Sequence, residues 1–266
     1  MLFNSRKCPN CDAYYDPTLE QCPTCHKDNE LYEQRALSKN VVFFHPAAQI
    51  GIFLCGFAYG GMVLSELLFA LFFAAMESSL LKTTLVLLFT YLMMLGGILS
   101  IAFLTRRKTF VKRYTRYQDY LFGGAYALGL IFLGLIISFI MTIFQQTGNN
   151  TNQNAAIDIA KNYPIFGFFI LCLLGPICEE MTYRAGLYSF FRRINKYLAM
   201  AVTIIVFALI HFDFLAEDMV TELVSLPSYL SAGLLLTIAY EHRGPACSMT
   251  AHILYNIFAF ALMILV

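Results

Sequence analysis

Cys178-Glu179-Glu180-Met181-Thr182-Tyr183-Arg184 sets two adjacent carboxylates and an arginine at the end of the apolar run Ile165 to Ile177. That run reads as part of a membrane span, where a charged side chain costs at least ~2.5–3.5 kcal/mol on insertion scales. On a helix, Glu180 and Arg184 lie four apart on one face, with the glutamate first, the favourable order for an ion pair. Glu179 is rotated about 100° from Glu180 and is not claimed by that arginine. One carboxylate is held while its neighbour stays open to chemistry. The simpler explanation is a pair of caps at the interfacial end of a helix, so the decision rests on what the chain brings beside them.

Composition fixes the class. Of 266 residues, 59% are hydrophobic and 13% charged, with 25 Phe and a mean hydropathy of +0.64. Soluble domains run nearer half apolar and a quarter charged, so this is an all-α polytopic membrane protein. Trp is absent, and the 16 Tyr are left to mark the interfaces. A net charge of +1 gives no argument for nucleic acid as a partner. Lipid is the expected surrounding, and the basic cluster from Arg106 to Arg116 reads as a headgroup contact at a span end.

About seven apolar runs approach the ~20 residues needed to cross a bilayer. They are Pro46–Ala75, Leu80–Leu104, Tyr120–Phe144, Tyr163–Phe190, Tyr197–Phe214, Leu226–Tyr240 and Ala246–Val266, the sixth being short unless it begins near Met219. Arg106, Arg107, Lys108, Lys112, Arg113 and Arg116 follow the second run, which makes that loop cytoplasmic by the positive-inside rule. The N-terminus is then cytoplasmic too, polar Gln145–Asn162 falls outside, and Arg192, Arg193 and Lys196 fall inside. Acidic Asp213, Glu217 and Asp218 fall outside, Glu241-His242-Arg243 inside, and the C-terminus outside. Every loop agrees with one alternating topology. Glu66 and Cys55 stand inside the first run.

The chain divides into a module at 1–27, a linker at 28–45 that is most evident from Asp28 to Asn40, three helices over 46–144 and a helical core over 163–266. In the first module, Cys8-Pro9-Asn10-Cys11 and Cys22-Pro23-Thr24-Cys25 are two Cys-x-x-Cys knuckles. Each two-residue gap lets a tight turn present two thiolates, so Cys8, Cys11, Cys22 and Cys25 suit one tetrahedral Zn²⁺. Two disulfides are the alternative, and His26 could replace a cysteine. Four protein ligands leave no open position, so this zinc ribbon is structural, and the metal supplies most of the folding energy of so small a module. Reduced thiolates place it in the cytoplasm, and no signal peptide is expected.

Two later runs carry polar groups: Phe207-Ala208-Leu209-Ile210-His211 in the fifth, and His252 with Asn256, four apart on one face, in the seventh. A lone His in a span is usually a packed, hydrogen-bonded residue. Here three spans contribute ionisable or amide groups, and such groups face the bundle interior and pair with each other. Cys178 adjoins Glu179 but has no base aimed at it in sequence, so it reads as packing. Water is the better nucleophile, with Glu179 accepting its proton and His211 sharing it. His252 and Asn256 can donate to a developing oxyanion, worth ~3–4 kcal/mol per donor. A catalytic metal held by His211, His252 and a glutamate is the other assembly. Both give amide hydrolysis.

Glu179-Glu180-x-x-x-Arg184, Phe207-x-x-x-His211 and His252-x-x-x-Asn256, in that order, resemble the three motifs of the CPBP intramembrane proteases, which include the type 2 CAAX prenyl proteases and the bacterial Abi proteins. The resemblance covers about Tyr163 to Val266. It implies that Glu179 and His211 activate water, that Glu180 and Arg184 support the site, and that His252 and Asn256 form the oxyanion hole. It also implies a cavity open to the cytosol and leaves a catalytic metal open, although members are called metalloproteases. The N-terminal ribbon and the lack of a span after the seventh depart from the eukaryotic enzymes. A membrane-associated peptide or protein in a bacterial plasma membrane is therefore a better expected substrate than a prenylated CAAX protein. A non-proteolytic scaffold or bacteriocin-immunity protein with the same fold is the alternative, and a proton relay a third. Depth is a partial check: at ~1.5 Å per residue, Glu179 and His211 lie about 21 Å from the cytoplasmic ends of their helices and His252 about 10 Å, which implies tilt or a broken helix.

Overall fold

The computed structural model describes residues 5–16, 19, 21–27, 29, 41, 42, 44–57, 63–77, 79–143 and 148–265, the side chains of 6 and 106–109 excepted. Apart from Asn29, the linker expected from Asp28 to Asn40 lies outside these residues. Two short strands, β1 (Arg6–Lys7) and β2 (Tyr14–Tyr15), pair antiparallel with Arg6 opposite Tyr15. The helices are α1 (Pro46–Leu54), α2 (Leu64–Phe72), α3 (Leu80–Lys112), α4 (Tyr117–Ile143) and α5 (Thr151–Asn162). They continue as α6 (Pro164–Arg192), α7 (Lys196–Leu209), α8 (Met219–Arg243) and α9 (Pro245–Leu265).

Five of these, α3, α4, α6, α8 and α9, are long and apolar enough to cross a bilayer, and α1 and α7 are shorter apolar helices. On α4, Phe132 and Phe139 are each 67% exposed, a face that suits lipid and not water. The all-α polytopic membrane architecture expected from composition is the one observed.

Several boundaries differ from the expected spans. The run Pro46–Ala75 forms two described helices, α1 and α2, and the second ends at Phe72. The basic stretch after the second run is not a loop: α3 continues to Lys112, because nothing before Arg113 breaks a helix and long charged side chains are good helix formers. Within the expected outer loop Gln145–Asn162, Asn150 caps a helix, α5, by accepting from the Gln153 N–H at 2.9 Å. The fifth run stops at Leu209, not Phe214, leaving His211 in a turn beyond the helix. The sixth begins at Met219, capped by Asp218, which accepts from the Thr221 N–H at 3.1 Å.

α6 is the central helix. Cys178, Met181 and Ala185 pack with Ile52 of α1 and Met94, Ile98 and Ala102 of α3. Tyr183 and Leu187 pack the other way, with Phe207 of α7, Leu236 of α8 and Ala251 of α9. Every residue from Glu180 to Ser189 is buried. The helix carries two wide π-type segments, Phe168–Leu174 and Glu180–Tyr188. Gly175 N–H bonds Ile170 O and Ser189 N–H bonds Arg184 O, each five residues back. Pro176 has no N–H to offer the ladder, which accounts for the first segment, and such segments are frequent at functional sites.

α1 crosses α6 at Gly186, where a Cβ would lie 3.0 Å from Phe53 N and 3.1 Å from Gln49 O. Both are backbone atoms and cannot rotate away. Gly186→Ala is expected to lower stability by about 1–3 kcal/mol, measured as a fall in thermal midpoint in detergent.

One end of the bundle gathers the charge. Arg192 pairs with Glu241 at 2.8 Å, and Lys196 approaches the same carboxylate at 3.8 Å. Asp119, buried, is held by Arg116 at 2.8 Å and Arg243 at 3.9 Å. The segment entering α1 packs at this end: Val42 N–H donates to Tyr240 Oη at 3.3 Å, and Arg193 donates to Gln49 and to the Phe44 carbonyl.

Candidate active site

The ion pair expected within the helix is present. Arg184 Nη1 lies 3.0 Å from Glu180 Oε1, with both side chains at most 1% exposed. Arg184 also donates to Gly233 O at 3.3 Å and stands 4.4 Å over the ring of Phe207. Glu180 has a second partner that local sequence could not supply: His252 Nδ1, 3.0 Å from the same oxygen and 72 residues away. A carboxylate with two such partners is fixed.

Glu179 differs. Its side chain is 16% exposed, and Oε2 faces His252 Nε2 across 3.8 Å. That gap is too long for a direct hydrogen bond and is the kind a bridging water fills. The helix-face argument therefore holds, with the arginine on Glu180 and its neighbour left open. His252 spans both carboxylates, so it reaches the depth of Glu180 despite its early position in α9.

His211 Nδ1 lies 2.8 Å from Phe207 O. A carbonyl only accepts, so Nδ1 carries the hydrogen, and neutral His211 keeps Nε2 as an acceptor. Both histidines pack around Phe207, with ring centroids at 4.9 Å for His211 and 6.1 Å for His252. Asn256 Nδ2 donates to Leu171 O at 2.8 Å, inside the first wide segment of α6. One of its two amide hydrogens is thereby engaged, and α9 is tied to α6. Phe207, at the centre of this group, was legible only as a motif position. Tyr229, stacked on His211 at 4.6 Å, was not singled out at all. Glu66 of α2 is exposed, and Cys178 is buried with its thiol toward Tyr91 O at 3.7 Å.

Among the described residues, one group brings three or more metal-ligating side chains together: Cys8, Cys11, Cys22 and Cys25, all within 4.8 Å of one another. Glu179, Glu180, His211 and His252 do not converge in that way, so the residues of the α6–α9 site do not fit a three-ligand metal centre and no step is routed through one. The cysteine sulfurs Cys8–Cys25 and Cys11–Cys22 are 3.6 Å apart. A disulfide would need ~2.05 Å, whereas a tetrahedron with ~2.3 Å Zn–S bonds has edges of about 3.8 Å. Disulfides are excluded as the state described, and the four cysteines fit Zn²⁺ without His26.

The two knuckles share one backbone plan. Cys8 N–H bonds Ala13 O and Cys22 N–H bonds Lys27 O, both at 2.9 Å, while Asp12 N–H bonds Cys8 O and His26 N–H bonds Cys22 O. Asp12 and His26 each follow the second cysteine with φ of 60° and 56°, the left-handed turn that aims two sulfurs at one point. Proton binding completes the picture. The Asn10 side chain and the Lys27 backbone lower the Cys25 thiol to about 6. Ala13 N–H pulls the Cys11 thiol down, but the neighbouring sulfurs and burial push it up to about 12. A thiol raised in this way ligates a metal only after losing its proton. Zinc loading must displace that proton, so calorimetry in buffers of different ionisation enthalpy should show proton release, and affinity should fall as pH is lowered. Chelation of the metal should melt the ribbon.

Residues 161–258 match the family model described as type II CAAX prenyl endopeptidase Rce1-like. This segment is similar to the Rce1-like family. It includes all six residues that the sequence singled out for catalysis, from Glu179 to Asn256. The chain is also 30% identical over 131 residues to UPF0177 protein YvdC of Lactococcus lactis subsp. lactis (strain IL1403), covering 48% of each chain. It thus spans about half the length of this curated relative. No solved structure matches the chain. The matched segment begins at the end of α5 and takes in α6 to all but the last turns of α9, so it includes the four helices that carry the site.

Proposed function

We propose that the chain is an intramembrane endopeptidase that cleaves a membrane-associated peptide or protein with Glu179-activated water. The observation that carries this reading is the unequal treatment of the two carboxylates: Glu180 is held at Oε1 by both Arg184 and His252, while Glu179 faces His252 Nε2 across a water-sized 3.8 Å gap.

In this mechanism Glu179 takes a proton from water as the water oxygen attacks the scissile carbonyl carbon, and Nε2 of His211 accepts the second hydrogen bond of that water. The carbonyl π pair moves to oxygen. Donation to the oxyanion by His252 requires a hydrogen on each ring nitrogen, with Nδ1–H held by Glu180 and Nε2–H turned to the oxyanion. The amide hydrogen of Asn256 not given to Leu171 is the second donor. Collapse of the tetrahedral intermediate breaks the C–N bond, and Glu179 returns its proton to the leaving amine. Glu180 and Arg184 hold His252 in place and touch no reacting atom.

Location follows from charge. Arg116, Arg192, Lys196 and Arg243 cluster at the end where Val41, Val42 and Phe44 pack, and the positive-inside rule puts that end, with the ribbon, in the cytoplasm. A bacterial plasma membrane with the C-terminus outside is the assignment that fits. The test is substrate profiling in membranes carrying wild type or His211→Ala. Peptides released by wild type alone would support the reading and name the substrate; identical products from both would remove it.

A further inference from the structure

His211 is the one candidate catalytic group that lies outside a helix. α7 ends at Leu209, and His211 N–H reaches back only to Ala208 O at 3.1 Å, as the end of a helix unwinds. Its ring is tied to α7 through Phe207 O at 2.8 Å, but the turn that carries it is held from elsewhere. The source is a polar cluster around Glu222 on the first turn of α8.

Glu222 is 1% exposed, and among the described residues its carboxylate is met by three N–H donors and no cation. Oε1 accepts from Thr151 N–H at 2.8 Å, the first residue of α5. Oε2 accepts from Asp213 N–H at 3.2 Å and from Asn150 Nδ2 at 3.5 Å. Asn150 Nδ2 also reaches His211 O at 3.5 Å. The backbone is thus gripped on both sides of the turn, at the His211 carbonyl and the Asp213 amide. The ring is gripped as well: Tyr229, two turns along α8, stacks on it at 4.6 Å with an 18° tilt, and Tyr229 Oη donates to Asn150 Oδ1 at 3.3 Å. Asn152 Nδ2 donates to Tyr229 Oη at 3.3 Å.

We propose that Glu222, with Asn150 and Tyr229, is a positioning bracket that sets the ring of His211 for the reaction. A carboxylate suits the task because its three partners are all donors and come from two separate segments: Asn150 and Thr151 at the start of α5, and Asp213 in the turn after α7. The amide of a glutamine would present an N–H₂ group to one of those donors and open the bracket. The kinetic consequence rests on the protease reading; the structural one does not.

The experiment uses the full chain in nanodiscs with ¹⁵N-labelled histidine, the His211 signals being assigned by their loss in His211→Gln. Wild type is expected to show His211 as the Nδ1–H tautomer. In Glu222→Gln its ring signals should shift and broaden toward a mixture of tautomers, while those of His252 stay put; a general loss of structure would move both. On a cleaved substrate, kcat should fall on the order of 10²-fold with KM unchanged, the size expected for a misplaced catalytic group. Should Glu222→Gln not fold, Asn150→Ala releases the His211 carbonyl and the Tyr229 hydroxyl but leaves Glu222 its two backbone donors, and the same His211 shift is expected. His211 signals unchanged in a folded Glu222→Gln, or in a folded Asn150→Ala, overturn the proposal. Altered His211 signals in a protein whose wild type cleaves nothing would leave the bracket standing and remove the protease reading instead.

Discussion

Glu179→Gln should lower kcat/KM for peptide cleavage by a factor of about 10²–10⁴ while leaving the thermal midpoint where it was. The size follows from the role: a glutamine cannot take a proton from water at neutral pH. The unchanged stability follows from the setting, since Glu179 is partly exposed and its nearest charged partner, His252, is 3.8 Å away. Measured together, the two quantities separate chemistry from packing. A Glu179→Gln enzyme that cleaves at the wild-type rate would move the base elsewhere, and one that fails to fold would show Glu179 to be part of the buried pair.

The second expectation concerns its neighbour and has the opposite signature. Arg184→Met leaves Glu180, 1% exposed, with a single partner in His252, and truncating one side of a buried pair typically costs about 3–5 kcal/mol. Arg184 gives up its bond to Gly233 O and its place over Phe207 as well. Much of the loss is the uncompensated charge, so Glu180→Leu with Arg184→Met should recover most of the stability, as apolar replacements of buried ion pairs often do. Activity should not return, because His252 then has no acceptor to orient Nδ1. Denaturation of the single and double variants in detergent measures the coupling. A single Arg184→Met as stable as wild type would remove the pair from the account of the fold.

The local parts of this site could be read from the chain, and the non-local parts could not. The Glu180–Arg184 pair is an i,i+4 relation on one helix, and the two knuckles present their sulfurs through turns of two residues, so both are fixed by spacing alone. The bond from His252 to Glu180 joins residues 72 apart, and no periodicity within α9 announces it. Motif order along successive spans did bring both histidines and Asn256 into consideration; the structure sets His252 against both glutamates and both histidines around Phe207, while Asn256 is tied to Leu171 O. Asn256 illustrates the limit: its spacing from His252 is visible, its bond to Leu171 depends on a carbonyl in a widened turn. Glu222 escaped because the sixth run was read as Leu226–Tyr240, with a start near Met219 left open, and nothing in the spacing pointed to partners for the glutamate. A helix that begins at Met219 buries it.

The shortness of α7 has a consequence for the surrounding lipid. Its 14 residues cover about 21 Å, against about 30 Å of hydrocarbon in an ordinary bilayer. Lipid beside a short hydrophobic segment thins to meet it, at a cost of a fraction of a kcal/mol per Å. The turn bearing His211 follows the end of this short helix, so on the protease reading such thinning would shorten the path of water to the site. Acyl-chain length then becomes a control on turnover: bilayers of longer lipids resist the thinning and should slow an enzyme whose chemistry is otherwise unchanged.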